Sequence, residues 1–161
     1  MVTNAPFDIA AFLDEPLRPA QVASVSPSGA PMLGSFWFLF ARGRFWFSSR
    51  PDSPIPLAVG HGAEVAVIVD DFSPHQSIRQ VRVRGHGRFE PHDPDQVERI
   101  YGRYLGAEID DWPRLFRARL TEPAWALWTV TPTSGLAVTF PDFKTLELRW
   151  RHPEDSPLPR T

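Results

Sequence analysis

The sequence contains no cysteine among its 161 residues. This absence excludes disulfides, thiolate nucleophiles, iron–sulfur clusters and cysteine-ligated zinc. Lysine is almost as scarce, since Lys144 is the only one and arginine supplies the rest of the 17 basic side chains. Because the net charge is only −2, we expect no broad surface for nucleic acid. Any redox chemistry must therefore come from a bound organic cofactor or from haem.

Long hydrophobic runs are also missing. No run approaches the roughly 20 apolar residues that span a bilayer, and the first residues lack a basic region followed by an apolar core. We therefore expect a cytoplasmic protein without a membrane partner. Hydrophobic residues nevertheless make up 42% of the chain, with 6 Trp and 12 Phe, which is enough for one globular core. We assign residues 1–152 to a single domain and residues 153–161 to a flexible tail.

The motifs of several well-known sites are absent as well. The chain has no GxGxxG fingerprint, Walker loop or GxSxG elbow, so neither a dinucleotide-binding parallel fold nor a serine hydrolase is supported. Its five histidines show no HExxH motif or i,i+4 pairing, and we expect no metal site. Haem held by a single histidine leaves no sequence pattern and stays open.

The apolar patterns that are present predict a mainly β protein. Strands are expected at residues 21–26, 32–40, 45–49, 64–70, 77–89 and 124–130, with weaker ones at 136–140 and 145–150. Helices are expected at residues 7–15, 94–105 and 112–120, with a short one inside 51–62. The run at 32–40 is nearly all apolar, which favours a strand buried on both faces. This order predicts an antiparallel barrel with helices at its ends, with a sandwich as the alternative.

Residues 77–89 alternate apolar and polar side chains, as a half-buried strand does. The polar face carries Gln80, Arg82 and Arg84. An amide both donates and accepts, so Gln80 suits the mixed C=O and N–H edge of a flavin ring. A polar face in solvent is the plain alternative. Gly85 and Gly87 mark a place where the strand bends or another backbone comes close.

A second polar group follows the third predicted strand. Ser48, Ser49 and Arg50 end that strand, and Asp52 or Ser53 can cap the next helix with Pro54 at its first position. Hydroxyls, free backbone N–H groups and a guanidinium are the groups that a phosphate monoester needs. The alternative interpretation is an ordinary polar strand end before a Ser-capped helix.

Residues 12–140 resemble the pyridoxamine 5'-phosphate oxidase-like proteins, which are FMN-binding split β-barrels. The resemblance rests on a hairpin, the Ser-Ser-Arg stretch, a short helix, a strand and the sequence RQVRVRG at residues 79–85. The sequence WALWTVTP at residues 125–132 is similar to the late strand that leads into the family's dimerisation segment.

The resemblance implies a six- to seven-stranded antiparallel split β-barrel with a short helix after the third strand and helices at the barrel ends. It also implies a homodimer that binds FMN between its subunits and carries out two-electron redox of an unknown small molecule, with the chemistry supplied by the flavin. Gln80 would contact the ring with Arg82 as a possible helper. The phosphate would lie against Ser48, Ser49, Arg50 and Ser53. No residue can be named as a catalytic acid or base.

The chain departs from the family pattern at the start of the short helix. Pro54 and Ile55 stand where the family carries a basic pair that grips the phosphate. Each cationic contact is worth ~1.5–3 kcal/mol, so the loss of two would weaken FMN binding by roughly two orders of magnitude or more. Residues after 120 do not match the vitamin B6 substrate contacts. The alternatives are therefore a split barrel with weak or no FMN binding that acts as a binding module, or one that uses deazaflavin or haem.

Overall fold

A computed structural model describes residues 5–73, 77–122, 124–141 and 144–161. Within these residues the strands are β1 (Ala20–Val25), β2 (Pro31–Phe36), β3 (Phe38–Ala41), β4 (Arg44–Ser49), β5 (Glu64–Ser73), β6 (Ser77–Glu90), β7 (Ala126–Thr139) and β8 (Leu146–Trp150). The α-helices are α1 (Ile9–Asp14), α2 (Pro54–Gly60), α3 (Pro94–Leu105) and α4 (Arg114–Arg119). Short 3₁₀ helices lie at Ile109–Asp111 and Pro153–Asp155. No described helix is long and apolar enough to cross a membrane.

The strands form one antiparallel sheet in the order β2-β1-β5-β6-β7-β4-β3, with β8 added to β7. This confirms the predicted mainly β split-barrel fold, with α2 as the short helix after the β3–β4 hairpin. In the described part of the chain the outer strands β2 and β3 do not pair with each other, so the sheet is not closed. The described strands number eight rather than the predicted six or seven.

The prediction of one buried strand at residues 32–40 is wrong, because the run divides at Trp37 into β2 and β3. The outward side chains of β2 are exposed, and Leu33 is 73% exposed. On β3, by contrast, Phe38 packs into the barrel core and Leu39 packs into a second core against α3. The apolar run thus reflects two environments, since helices cover the outer face of β3 but not that of β2.

The two long strands β6 and β7 form the centre of the sheet. Each has 14 residues, and their pairing shifts register between Arg84 and Gly85. A Cβ on Gly85 would lie 2.1 Å from the backbone oxygen of Thr131, so only glycine fits this irregularity. Gly87 instead makes room for the side chain of Val59 on α2. The predicted close approach of another backbone is therefore confirmed at Gly85.

Two apolar cores lie on the two sides of β4. Inside the barrel, Phe47 stacks on Trp128 with ring centroids 4.3 Å apart, and each fully buried ring of this kind contributes about 3 kcal/mol. On the other side, Trp46 and Leu127 pack with Tyr101 of α3. Both faces of this part of the sheet are therefore covered by protein.

An aromatic stack fixes α3 against β3. The ring of Trp37 lies parallel to that of Tyr104 with centroids 4.6 Å apart. The Tyr104 hydroxyl accepts from the Phe38 N–H at 3.0 Å and donates to the Arg18 carbonyl at 2.8 Å. Burial raises the pKa of Tyr104, outweighing the hydrogen bond from Phe38, so the phenol keeps its proton.

The first arginine of the RQVR stretch has a structural role. Arg79 donates to Glu15 at 2.8 Å and to Asp71 at 2.7 Å, and its guanidinium lies 4.9 Å from the Phe12 ring centroid. Burial acts to raise the pKa of Glu15, but hydrogen bonds from Arg79 and Arg18 outweigh it and lower the pKa. Arg79 therefore ties the end of α1 to β5 and β6.

The last residues pack against the sheet. Leu158 is 6% exposed and belongs to the barrel core. The N–H of Arg42 donates to the carbonyl of Thr161 at 3.4 Å. The composition predicts flexibility for residues 153–161. Within this segment, Leu158 is attached to the barrel core and Thr161 to the β3–β4 turn.

Candidate cofactor site

The predicted site residues fall in two separate places on the sheet. Ser48 of β4 pairs with Leu127 of β7, which pairs with Glu90 at the end of β6. Gln80 lies ten residues before Glu90 on the same strand, which is about 30 Å along it. One subunit therefore does not bring the residues predicted for the phosphate next to those predicted for the ring.

The first of these places is the β4–α2 junction, residues 48–55. The Ser48 hydroxyl lies 3.0 Å from the hydroxyl of Tyr101, on the side of β4 that faces α3. The Ser49 hydroxyl faces the barrel and accepts from the indole N–H of Trp128 at 2.9 Å. Because neighbouring residues of a strand point to opposite faces, the two hydroxyls do not converge. Both already have partners inside the protein.

Arg50 also has a partner at this junction. Its guanidinium donates to both carboxylate oxygens of Asp52, at 3.1 and 2.8 Å. The hydrogen bond from Arg50 lowers the pKa of Asp52 below its ordinary value. The positive charge that the sequence offered to a phosphate is therefore balanced by a neighbouring carboxylate.

The start of α2 offers few backbone donors. Ser53 occupies the predicted cap position, but its hydroxyl makes no capping hydrogen bond, and its N–H donates to the Arg50 carbonyl at 3.3 Å. Pro54 and Pro56 have no N–H, which leaves that of Ile55 in the first turn. The Ile55 side chain is 3% exposed and packs in the barrel core. The contact between Ser53 and a phosphate stays a prediction.

The second place lies on the outer face of β6. Gln80 and Arg82 project on the side away from the buried Val81 and Val83, as the alternation predicts. The guanidinium of Arg82 donates to the amide oxygen of Gln80. This hydrogen bond orients both groups and leaves the Gln80 NH₂ as the part of the amide that can face a ligand.

An open cavity of about 650 Å³ is lined by Arg82 but not by Gln80, and we call it the outer cavity. Its size is within the range of about 300–1,000 Å³ that is usual for small-molecule sites. Apolar side chains from three strands form its floor, among them Leu33, Ile68 and Leu136. Its charged lining residues are four arginines: Arg82, Arg84, Arg149 and Arg151. The outer cavity therefore offers an apolar surface bordered by positive charge.

Sequence reasoning missed the arginines contributed by the last strand and the residue after it. Residues 146–151 read LELRWR, so Glu147, Arg149 and Arg151 alternate with apolar residues. That alternation was a signal for one polar face. Trp150, between the two arginines, is 3% exposed and packs in the barrel core. The position of this face beside β6 depends on the pairing of β8 with β7, which no local pattern reveals.

The most heavily bonded carboxylate among the described residues lies away from the outer cavity. Glu90 accepts from Arg88 at 2.6 Å, from Thr129 at 2.8 Å and from Arg44 at 3.2 Å. Burial acts to raise the pKa of Glu90, but the hydrogen bonds from Arg88 and Thr129 outweigh it and lower the pKa. A carboxylate held ionised in this way stabilises the fold and is unsuited to act as a proton donor. Among the residues that the structure describes, no group of three or more acidic or histidine side chains is arranged to hold a metal ion.

Comparisons with known proteins agree with this fold. A family model described as pyridoxamine 5'-phosphate oxidase matches residues 8–138. No curated protein matches the chain. Among solved structures, the chain is similar to an F420 reductase, with 21% identity, a TM-score of 0.60 and coverage of 80% of this chain and 97% of that one.

Two further solved structures show the same fold. A conserved hypothetical protein from Mycobacterium tuberculosis is 16% identical, with a TM-score of 0.65 and coverage of 99% of this chain and 93% of that one. The heme storage protein HutZ from Vibrio cholerae is 11% identical, with a TM-score of 0.57 and coverage of 76% and 85%. At these identities the likeness concerns the fold alone. Because the family model spans most of the sequence, the chain belongs to the pyridoxamine 5'-phosphate oxidase-like family.

Proposed function

We propose that the protein binds a flavin-type redox cofactor, FMN in the first instance, and carries out two-electron redox of a small molecule. The observation that supports this most is the hydrogen bond between Gln80 and Arg82, because Arg82 also lines the outer cavity with its apolar floor. A bound flavin would supply the electron transfer itself, and the chain would supply position and charge.

The chain's own groups suit such a cofactor. The NH₂ of Gln80 can donate to a carbonyl or ring nitrogen of a flavin. Apolar residues such as Ile68 and Leu136 can lie against its planar ring. The arginines of the outer cavity balance negative charge on the ring or on the cofactor's phosphate.

For the phosphate, the sequence-based candidates remain Ser48, Ser49, Arg50 and Ser53. Three of the four have partners within the protein, and a phosphate would have to displace Tyr101, Trp128 or Asp52. Such an exchange costs the hydrogen bonds that are broken, so it weakens binding at the junction. This observation favours a second candidate function, a binding module with weak or no FMN affinity.

We also propose that the protein is a homodimer with the cofactor between its subunits. The support is geometric, since one subunit places the two groups of predicted residues at opposite ends of β6 and a second subunit can provide the missing group. Two exposed apolar side chains can form the contact, Leu33 on β2 and Phe72 on β5, which are 73% and 71% exposed. Light scattering of the purified protein tests this proposal, and a monomer at micromolar concentration would contradict it.

The visible spectrum of the purified protein separates the cofactor candidates. An oxidised flavin gives two broad bands, in the blue and the near ultraviolet, whereas haem gives one sharp and intense Soret band. Deazaflavin is a candidate because one structural neighbour is named F420 reductase, and haem is one because another is named a heme storage protein. A colourless protein that also takes up no FMN or deazaflavin at micromolar concentration would exclude the proposed function.

The substitution Gln80→Ala tests the position of the ring. We expect FMN affinity to fall about tenfold, because one hydrogen bond to the cofactor is worth about 1–1.5 kcal/mol. Titration of FMN fluorescence measures this change. Gln96→Ala removes an amide from α3 and is the control, expected to leave FMN affinity unaltered. Equal affinity of Gln80→Ala and the natural protein would place the ring elsewhere.

A further inference from the structure

The four arginines of the outer cavity lie on either side of β7. Arg82 of β6 pairs with Leu136, and Leu136 pairs with Arg149 of β8. Since adjacent strands are about 4.8 Å apart, the backbones of Arg82 and Arg149 are separated by about 10 Å. Two arginine side chains at this spacing can reach the same ligand group from opposite sides.

A second row lies next to the first. Arg84 pairs with Ser134 of β7, and Arg151 directly follows β8 on the same side of the cavity. Ser134 also lines the cavity, so its hydroxyl lies on the face that the arginines border. The second row thus adds two guanidinium groups and a hydroxyl to the cavity lined by Arg82 and Arg149.

The arginines of the described chain differ in whether a carboxylate neutralises them. Outside the outer cavity six of them form salt bridges with carboxylates, including the exposed Arg50 and Arg88, and six form none with a described carboxylate, including Arg114 and Arg117. None of the four arginines of the outer cavity has a carboxylate within 4.0 Å among the described residues, and no acidic residue lines the cavity. Grouped like charges repel each other, and a bound anion removes that repulsion.

We propose that Arg84, Arg149 and Arg151, with the hydroxyl of Ser134, form a binding site for a phosphate or carboxylate group of a small molecule. Guanidinium groups bind such anions through paired N–H donors. The site supplies a positive surface that the β4–α2 junction lacks, because Ile55 is buried there and Arg50 is bound to Asp52. The anion site does not depend on the proposed function. Only the further statement that the anion is the cofactor's own phosphate rests on it.

The test compares FMN with riboflavin, which is the same ring system without the phosphate. If the site holds the cofactor's phosphate, the natural protein binds FMN at least about tenfold more tightly than riboflavin, as expected for one charge-assisted contact. The double variant Arg149→Gln, Arg151→Gln then loses this preference while its affinity for riboflavin stays the same. The control is Arg114→Gln, Arg117→Gln, which removes the same charge from the exposed surface of α4 and should keep the preference.

A second arm uses inorganic pyrophosphate and citrate, measured by calorimetry. If the anion belongs to a separate ligand, these probes bind about tenfold more weakly to the Arg149→Gln, Arg151→Gln variant than to the control, while FMN affinity is unaltered. Binding of either probe through these arginines without any flavin binding would support the anion site and reject the proposed function. If both double variants bind every probe as the natural protein does, or if no probe binds at all, the anion site is wrong. A thermal melt checks that each variant is folded.

Discussion

At the β4–α2 junction, two of the three hydroxyls and the guanidinium point at partners in the same subunit. Ser49 accepts from Trp128, Ser48 contacts Tyr101, and Arg50 is bound to Asp52. At the outer cavity four arginines border an open apolar surface, and no described carboxylate neutralises them. Residue types that suit an anion occur in both regions, but three of the four candidates at the junction are already bonded within the subunit, whereas no described carboxylate pairs with the arginines of the outer cavity.

The comparison shows that availability depends on the partners a side chain already has. A hydroxyl that satisfies a buried indole cannot also serve a ligand without leaving that indole unpaired, which costs about 1–3 kcal/mol. An arginine on an exposed sheet face without a carboxylate neighbour has no such cost. This difference makes the outer cavity the better candidate for binding.

The largest expected change in stability concerns the register shift between Arg84 and Gly85 in β6, which lies between the two regions. Gly85→Ala should destabilise the protein by about 3 kcal/mol, because the new Cβ would overlap the Thr131 carbonyl. Gly102→Ala on α3 is the control. Its Cβ would meet Trp112 at 3.8 Å, and alanine should stabilise the helix by about 0.5–1 kcal/mol. Chemical denaturation measures both, and similar stabilities for the two variants would contradict the register shift.

Ser49→Ala tests whether the junction is structural. Loss of the hydroxyl leaves the N–H of the fully buried Trp128 unpaired and should cost about 2 kcal/mol, while FMN affinity stays the same. In a Trp128→Phe background, where no N–H needs a partner, the same substitution should cost less than about 0.5 kcal/mol. A loss of FMN affinity without a loss of stability would instead assign Ser49 to the cofactor.

Acid should break the hydrogen bonds that Glu90 accepts at the junction end of the sheet. The lowered pKa of Glu90 means that its contribution is present above the unfolded value, near 4.5, and is lost as the pH falls through the folded pKa. The free energy of unfolding should therefore fall with pH below about 4.5. Glu90→Gln should be less stable at pH 7 and lose less stability in acid. An acid dependence identical to that of the natural protein would show that Glu90 is not coupled to folding.

The smallest effect is expected for Arg50→Gln. Arg50 and Asp52 are 64% and 66% exposed, and ion pairs of this kind contribute little. We expect no measurable change in the thermal unfolding midpoint or in FMN affinity. A marked loss of FMN affinity would show that Arg50 leaves Asp52 for a phosphate, and it would remove the difference between the two regions.

Much of the fold could be predicted from the sequence because its signals are local. The predicted helix at 94–105 coincides with α3, where Asp93 caps the first turn and Pro94 occupies its first position. The prediction of one buried strand at residues 32–40 is wrong, because burial on both faces depends on helices that pack on β3 but not on β2. The two strands predicted at residues 124–130 and 136–140 are joined in the single strand β7, because Pro132 pairs with Gly85 at the register shift and does not end the strand.

The family, the antiparallel sheet and the face of β6 that carries Gln80 and Arg82 could all be predicted from the sequence, because alternation assigns side chains to faces within one strand. Which polar groups remain available to a ligand depends on the three-dimensional arrangement of the strands. The partners of Ser48 and Ser49 lie 53 and 79 residues away, and Arg149 meets Arg82 only through the pairing of two further strands. Such partners follow from strand order and register, and these depend on contacts between residues that are distant in the sequence.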